Sequence, residues 1–176
     1  REFRVLDTAG IRRKAKVKEN VEYYSVNRAI KTLDECDIMV LMIDAQEGLD
    51  EQDKKICALA YERGRGIIFV LNKWNTQEKG RTAFKDAAEN IRTMFGQMNW
   101  APILPLSALE GKGVQDLLNM CIELYTQLTR KVGTSALNAA LKDWLLQYPP
   151  PATKAIHFRI RYMPQIPLGE GGRRVT

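Results

Sequence analysis

The sequence has few of the residues on which many enzymes depend, and it has no long apolar run. It contains one histidine in 176 residues, so neither a histidine-rich metal centre nor a Ser-His-Asp triad is expected. Cys36, Cys57 and Cys121 lack Cys-x-x-Cys spacing, which favours reduced thiols packed as small apolar residues over disulfides or metal ligands. The apolar runs are far shorter than the roughly 20 residues of a membrane span, and no secretory leader precedes Arg1. We therefore expect a soluble, cytoplasmic protein that does not enter the membrane.

A phosphate-binding loop is also missing. No Gly-x-x-x-x-Gly-Lys-Ser/Thr segment occurs in the chain, although this is the usual means of gripping nucleotide phosphates. Gly111-Lys112-Gly113 has no Ser or Thr after its lysine, so we interpret it as a turn that opens a helix. The segment 169–172 has the Gly-x-x-Gly spacing of KH-domain loops, but no helix follows it, so we expect coil there.

The positive charge is concentrated towards the C-terminus. Residues 131–176 contain seven basic and two acidic residues, so they carry a net charge of +5 out of the total of +6. A basic segment of this kind is compatible with a polyanionic partner such as RNA. On charge alone, a merely solvated basic face explains it equally well.

Short apolar runs alternate with amphipathic stretches along the first 130 residues. Strands are predicted at Phe3–Leu6, Ile38–Ile43, Ile67–Leu71 and Ile103–Leu106, and helical spacing separates them. This order predicts an α/β fold, a mostly parallel sheet with helices on both faces. The carboxyl ends of parallel strands share one edge, where ligands bind in such folds.

The pattern changes after Arg130. Gly133 follows the last predicted helix, and Thr134 or Ser135 is expected to cap a new helix that Pro149-Pro150-Pro151 stops. His157–Tyr162 alternates polar and apolar residues, which predicts a half-buried strand. We place a domain boundary near residues 131–134, with an incomplete second domain after it.

A first motif follows the first predicted strand. Asp-x-x-Gly spacing suits the γ-phosphate end of a nucleotide site, because a carboxylate can hold Mg²⁺ through water and a glycine can offer its N–H to phosphate. Ile11 can neither orient nor deprotonate water, so hydrolysis would rely on positioning and on neutralisation by metal ions. The candidate residues on the phosphate side are Asp7, Thr8, Ala9, Gly10 and Ile11, with Asp7 as the Mg²⁺ ligand through water.

A second motif, Asn72-Lys73-Trp74-Asn75, follows the third predicted strand and suits recognition of a purine base. Asn72 can tie neighbouring loops together, and the stem of Lys73 can lie along the purine face. An aspartate at position 75 would accept both donors of guanine. The amide of Asn75 has one donor and one acceptor, so it mismatches guanine by about 1–3 kcal/mol and suits the extra carbonyl of xanthine better.

The third motif, Ser107-Ala108-Leu109, follows the last predicted strand and offers backbone N–H groups to the carbonyl oxygen of a purine. Since all three motifs follow parallel strands, we expect them to meet at one crevice.

The motifs together resemble the second GTPase domain of the Der (EngA) family, bacterial GTPases with two tandem G domains and a KH-like domain. The resemblance is carried by residues 7–14, 19–22, 44–48, 72–74 and 148–151. It implies a P-loop GTPase type of domain without its first elements at residues 1–131, and a partial α+β KH-like domain at residues 134–176.

The same resemblance implies GTP hydrolysis coupled to assembly of the large ribosomal subunit, with GTP or GDP, Mg²⁺ and K⁺ bound. It implies the 50S subunit and its rRNA as partners, together with the missing first G domain. The alternative is a non-catalytic rRNA-binding or ribosome-binding module whose nucleotide site has decayed. In either case we expect this chain alone to be inactive as a GTPase.

We predict that the gene encodes Gly-x-x-x-x-Gly-Lys-Ser/Thr within about 60 residues upstream of Arg1, since the base-side motifs need a phosphate loop to form a nucleotide site. Sequencing the genomic region tests this. A start codon at Arg1 would contradict it and would favour the module with a decayed site.

Overall fold

The computed structural model describes residues 2–6, 31–76, 82–150, 159–168 and 172–175. The chain divides into two compact units, Arg1–Tyr125 and Thr126–Thr176. The predicted domain boundary at residues 131–134 stays a prediction.

The first unit is built on a parallel sheet of three strands in the order β1-β2-β3. A helical segment at residues 31–35 precedes it. The strands are β1 (Ile38–Asp44), β2 (Gly66–Asn72) and β3 (Ile103–Pro105). The helices that follow them are α1 (Glu51–Glu62), α2 (Ala83–Met94) and α3 (Val114–Leu128), with 3₁₀ turns at Trp74–Thr76 and Gly96–Met98. The α/β fold predicted from the alternating pattern is confirmed.

The central strand β2 explains why the sheet is covered on both faces. Ile67, Phe69 and Leu71 point to one face, and Ile68 and Val70 point to the other; all five are buried. The first set joins one core cluster with residues of α1 and α2, and Phe69 stacks on Phe95 with ring centroids 5.0 Å apart. A continuous apolar run is what a strand buried on both faces requires.

The first predicted strand, Phe3–Leu6, does not form. Residues 2–6 have no regular secondary structure, and Val5 is 85% exposed. A run of four residues gains only a few ladder hydrogen bonds, and here little burial of its side chains adds to them, since only Leu6 is partly buried. The prediction of a strand at this position was therefore wrong.

The second unit contains helix α4 (Thr134–Gln147) and an antiparallel hairpin of β4 (Gln165–Leu168) and β5 (Gly172–Val175). The amide of Asn138 accepts from the Met163 N–H at 3.0 Å and donates to the Met163 carbonyl at 3.3 Å. The Gln165 side chain accepts from the Val132 N–H at 2.9 Å and donates to the Arg130 carbonyl at 3.0 Å. These amides take the place of a strand partner for extended backbone.

Two predictions for this unit were wrong. Gly133 is the residue that caps α4, and no side chain caps it, so Thr134 already lies inside the helix. The described residues 159–162 form no strand, and Tyr162 is 57% exposed. Alternation alone cannot hold a strand without a neighbour to pair with, and pairing occurs instead between β4 and β5. The predicted end of α4 before Pro149 is confirmed.

All three cysteines are free thiols, as predicted. Cys57 is fully buried against the sheet, and this burial raises the pKa of its thiol to about 12.

Within the described residues, no helix has both the length and the apolar character needed to cross a membrane.

Gly113, the residue before α3, is required by a close approach. Its φ is +82°, and a Cβ there would lie 2.6 Å from the Pro105 carbonyl oxygen. We expect Gly113→Ala to lower the free energy of unfolding by about 2 kcal/mol or more, from the positive φ and the clash with backbone. Denaturant unfolding of the chain measures this. Gly96→Ala is the matched control, since nothing lies within 4 Å of its added Cβ, and an equal loss in both variants would contradict the prediction.

Candidate functional site

The loops that follow β1, β2 and β3 lie along one edge of the sheet. The register fixes this arrangement, because Asp44, the last residue of β1, is paired with Asn72, the last residue of β2. Strand β3 is paired with β2 over Phe69–Leu71. The predicted base-side residues, 72–75 and 107–109, occupy two of these neighbouring loops.

Asn72 joins the loops that follow β2 and β3. Its Oδ1 accepts a hydrogen bond from the backbone N–H of Ala108 at 3.0 Å, across 36 residues of sequence. The backbone continues the connection, since the Trp74 N–H donates to the Leu106 carbonyl at 3.0 Å. The segments 72–75 and 107–109 are therefore held as one structure.

Lys73 has a left-handed backbone with φ of 60°. This region is unfavourable for a residue with a side chain and persists only where the surroundings hold it. The Lys73 carbonyl accepts from the Thr76 N–H at 3.0 Å and from the Thr76 hydroxyl at 2.7 Å. At the other end of the residue, Nζ lies 2.5 Å from Oδ2 of Asp44. Backbone and side chain are thus both held in place.

The Lys73–Asp44 pair shifts both titrations in the expected directions. The hydrogen bond from Lys73 lowers the pKa of the Asp44 carboxyl, and the Gln46 N–H, which donates to Oδ1 at 2.9 Å, lowers it further. The same pair raises the pKa of Lys73. The contribution of Asp44 to stability is therefore full above the ordinary pKa of aspartate, and it is lost as the pH falls through the lower folded-state value.

Trp74 fixes the loop to the core. Its half-buried side chain packs against the core cluster and meets Phe84 edge-to-face, with ring centroids 5.7 Å apart. The indole is therefore an apolar anchor for the residues on either side of it, which face the edge of the sheet.

Asn75 and Ser107 meet across the two loops. The Ser107 hydroxyl donates to Oδ1 of Asn75 at 3.0 Å and accepts from the Glu110 N–H at 3.3 Å. Ser107 is 3% exposed, and its own N–H donates to the Lys112 carbonyl at 3.0 Å. The position of Ser107 is fixed by these three hydrogen bonds.

The backbone N–H groups of residues 107–109 differ in whether they can bind a ligand. Those of Ser107 and Ala108 are engaged within the protein, by the Lys112 carbonyl and by Asn72. Leu109 is 91% exposed, and its N–H has no partner among the residues that the structure describes. It is the donor of this turn that is open to a carbonyl oxygen of a bound base.

The phosphate side of the predicted site lies outside the described residues, since these exclude Asp7, Thr8, Ala9, Gly10 and Ile11. Within the described ranges, no group of three or more His, Cys, Asp or Glu side chains is arranged to hold a metal ion. The assignment of Asp7 as a Mg²⁺ ligand stays a prediction.

Sequence analysis missed the residues that support the base side. Asp44 lies in the segment 44–48 that carries the family resemblance, but it was not predicted to pair with Lys73. Gln46 donates from its side chain to the Thr76 hydroxyl at 3.0 Å, and so links the loop after β1 to the turn. A signal for Asp44 was present, because two neighbouring parallel strands that both end in polar residues bring those residues together.

A comparison with known protein families identifies the family of this chain. Residues 22–127 match the family described as the Elongation factor Tu GTP binding domain. The chain belongs to this family of GTP-binding domains.

Within it, the chain is similar to proteins named GTPase Der. It is 46% identical over 164 residues to GTPase Der of Treponema pallidum, which covers 93% of this chain and 35% of the relative. It is 39% identical over 166 residues to GTPase Der of Caldanaerobacter subterraneus, covering 94% and 38%. The resemblance to the Der family that the motifs indicated is confirmed. The chain spans little more than a third of the length of these curated relatives.

Solved structures of GTP-binding domains share the fold of this chain. A variant of Era from Aquifex aeolicus bound to GDP·AlF4⁻ has a TM-score of 0.52 and 24% identity, over 62% of this chain and 36% of that one. The elongation factor SelB of Methanococcus maripaludis, in complex with the GTP analogue GppNHp, has a TM-score of 0.54 and 20% identity, over 63% and 24%.

We expect Lys73→Gln to raise the pKa of the Asp44 carboxyl towards its ordinary value, because the variant removes the largest of the hydrogen-bond effects at that group. An NMR titration of the side-chain carboxyl measures it. Lys112→Gln is the matched control, since Lys112 pairs with Glu110 at 2.7 Å and not with Asp44. The prediction fails if Asp44 titrates alike in the wild type and in both variants.

Proposed function

We propose that the intact protein containing this chain binds and hydrolyses GTP, and that this chain supplies the base-recognition side of one nucleotide site. The observation that carries the proposal is the hydrogen bond from the Ala108 N–H to the Asn72 side chain, at 3.0 Å. It unites two loops at the carboxyl edge of a parallel sheet, which is where nucleotides bind in such folds. The chain belongs to a family of GTP-binding domains, which supports a nucleotide as the ligand at this edge.

The chemistry of the base side follows from the donors and acceptors at this edge. The open N–H of Leu109 is proposed to bind the carbonyl oxygen of the purine, and the exposed amide of Asn75 to face the opposite edge of the base. The stem of Lys73, 55% exposed and held at its tip by Asp44, offers an apolar surface for the ring. Because hydrogen bonds already hold the side chains of Lys73 and Asn75, these side chains lose little conformational entropy when a base binds.

The proposed phosphate side rests on the sequence. Asp7 is the proposed Mg²⁺ ligand through water, and Gly10 the proposed phosphate contact. Mg²⁺ and K⁺ would neutralise phosphate charge in the intact site. Hydrolysis requires phosphate-binding groups that this chain does not contain, so we attribute the reaction to the intact protein.

For the intact protein we propose a cytoplasmic role in assembly of the large ribosomal subunit, with the 50S subunit and its rRNA as partners, next to another G domain. Similarity to relatives named GTPase Der supports this. The net charge of +5 in residues 131–176 is compatible with an RNA contact. We further propose residues 1–131 as part of a G domain and residues 134–176 as part of a KH-like domain.

The proposal is tested by Asn72→Ala in the full-length protein. Loss of the side chain leaves the Ala108 N–H without its acceptor and weakens the connection between the two loops, so we expect affinity for purine nucleotides to fall about tenfold or more. Competition against a fluorescent GDP measures the change.

Asn138→Ala is the matched control, because its amide also binds backbone but belongs to the second unit. Equal affinities in the two variants would contradict the proposal. Full-length protein that binds rRNA but no purine nucleotide would favour the non-catalytic module.

A further inference from the structure

The backbone of Lys73 is held on both sides of its Cα atom. On one side, the Asn72 carbonyl accepts a hydrogen bond from the Ala45 N–H at 3.0 Å. On the other side, the Lys73 carbonyl accepts from the N–H and from the hydroxyl of Thr76, at 3.0 and 2.7 Å. Because the orientations of the two flanking peptide planes determine φ and ψ, these bonds support the left-handed conformation of Lys73.

The Thr76 hydroxyl joins this turn to the loop that follows β1. A hydroxyl has one proton, and here it lies on the bond to the Lys73 carbonyl, because a carbonyl can only accept. The Gln46 side chain therefore has to donate, and its Nε2 lies 3.0 Å from the threonine oxygen. A bond that the oxygen accepts polarises the O–H group, so it strengthens the bond to the carbonyl.

The loop after β1 closes this set of contacts into a ring. The Gln46 N–H donates to Oδ1 of Asp44 at 2.9 Å, and Oδ2 of Asp44 pairs with Nζ of Lys73. The loop is itself closed by the Gly48 N–H, which donates to the Asp44 carbonyl at 2.8 Å. The carbonyl and the ammonium group of Lys73 are thus both connected to one ordered loop, the first of them through Thr76.

We propose that Thr76 and Gln46 are positioning residues for nucleotide binding, which keep Lys73 in the conformation that the bound state requires. This rests on the proposed function, since it assumes a nucleotide at this edge. A left-handed lysine is unfavourable unless its surroundings hold it. When the binding conformation is only partly populated, the apparent affinity falls by that fraction. The two side chains therefore act on affinity without reading the base.

The experiment measures the affinity of the full-length protein for GDP and for XDP by competition. Thr76→Val keeps the shape of the side chain and removes the hydroxyl, so we expect both nucleotides to bind about threefold to tenfold more weakly. The factor is the same for both, because position 76 does not read the base. Thr76→Ser keeps the hydroxyl and restores the affinity.

A double-mutant cycle tests the part of Gln46. Gln46→Ala weakens binding by about twofold to threefold in the wild type. It has no further effect in Thr76→Val, because the glutamine then has no hydroxyl to which it can donate. Both side chains are exposed, and circular dichroism verifies the fold of each variant. Should Thr76→Val not fold, the loss in Gln46→Ala and the affinity of Thr76→Ser decide the outcome.

The chain offers a matched control for each position. The Thr93 hydroxyl donates to a carbonyl of its own helix α2 at 2.9 Å. The Gln115 amide donates to an exposed side chain of its own helix α3 at 3.1 Å. Neither bond involves the turn after β2, so Thr93→Val and Gln115→Ala keep the wild-type affinity.

Four outcomes overturn the inference. Equal affinities of wild type, Thr76→Val and Gln46→Ala refute it while the proposed function stands. A loss in Thr76→Ser as large as that in Thr76→Val refutes the role of the hydroxyl. Losses that add in the double variant refute the coupling through Gln46. A wild type that binds neither GDP nor XDP removes the inference and the proposed function together.

Discussion

The Asn72 side chain extends the sheet beyond its last ladder hydrogen bonds. Strands β2 and β3 are paired over only three residues, Phe69–Leu71 with Ile103–Pro105, and beyond them the backbone bond from the Trp74 N–H to the Leu106 carbonyl, at 3.0 Å, joins the two chain segments. The bond from the Ala108 N–H to Asn72 at 3.0 Å holds them together at the place where a ligand would enter. The bond from the Ser107 hydroxyl to Oδ1 of Asn75, at 3.0 Å, joins the same two loops.

The core of the first unit could be predicted because its strands are apolar throughout. Residues 67–71 are buried on both faces, as their continuous apolar run predicted, whereas β1 is well buried on one face only, with Met42 39% exposed on the other. Prediction failed for the strand expected at residues 3–6 and for the strand expected at His157–Tyr162, of which residues 159–162 are described. In both places the deciding factor was a pairing partner, which composition and spacing do not contain.

The sequence predicts which loops lie next to one another at the candidate site, but it does not predict which side chains are in contact. Topology alone brings the loops after β2 and β3 together, so the proximity of residues 72–75 and 107–109 followed from the sequence. The contact between Lys73 and Asp44 depends on a left-handed backbone and a side-chain rotamer, and motif spacing does not encode either. The Ser107–Asn75 bond likewise depends on side-chain rotamers, so motif spacing did not predict it.

The two side chains of the Lys73–Asp44 ion pair differ in their exposure to water. The carboxylate of Asp44 is 11% exposed, whereas the ammonium of Lys73 is 55% exposed. Loss of the lysine would leave a largely buried carboxylate with only the backbone N–H groups of Gln46 and Glu47 to bind it. Loss of the aspartate would leave a cation that water already solvates. The two positions are therefore unequal in their tolerance of substitution: removal of the charge at Asp44 costs less stability than removal of the charge at Lys73.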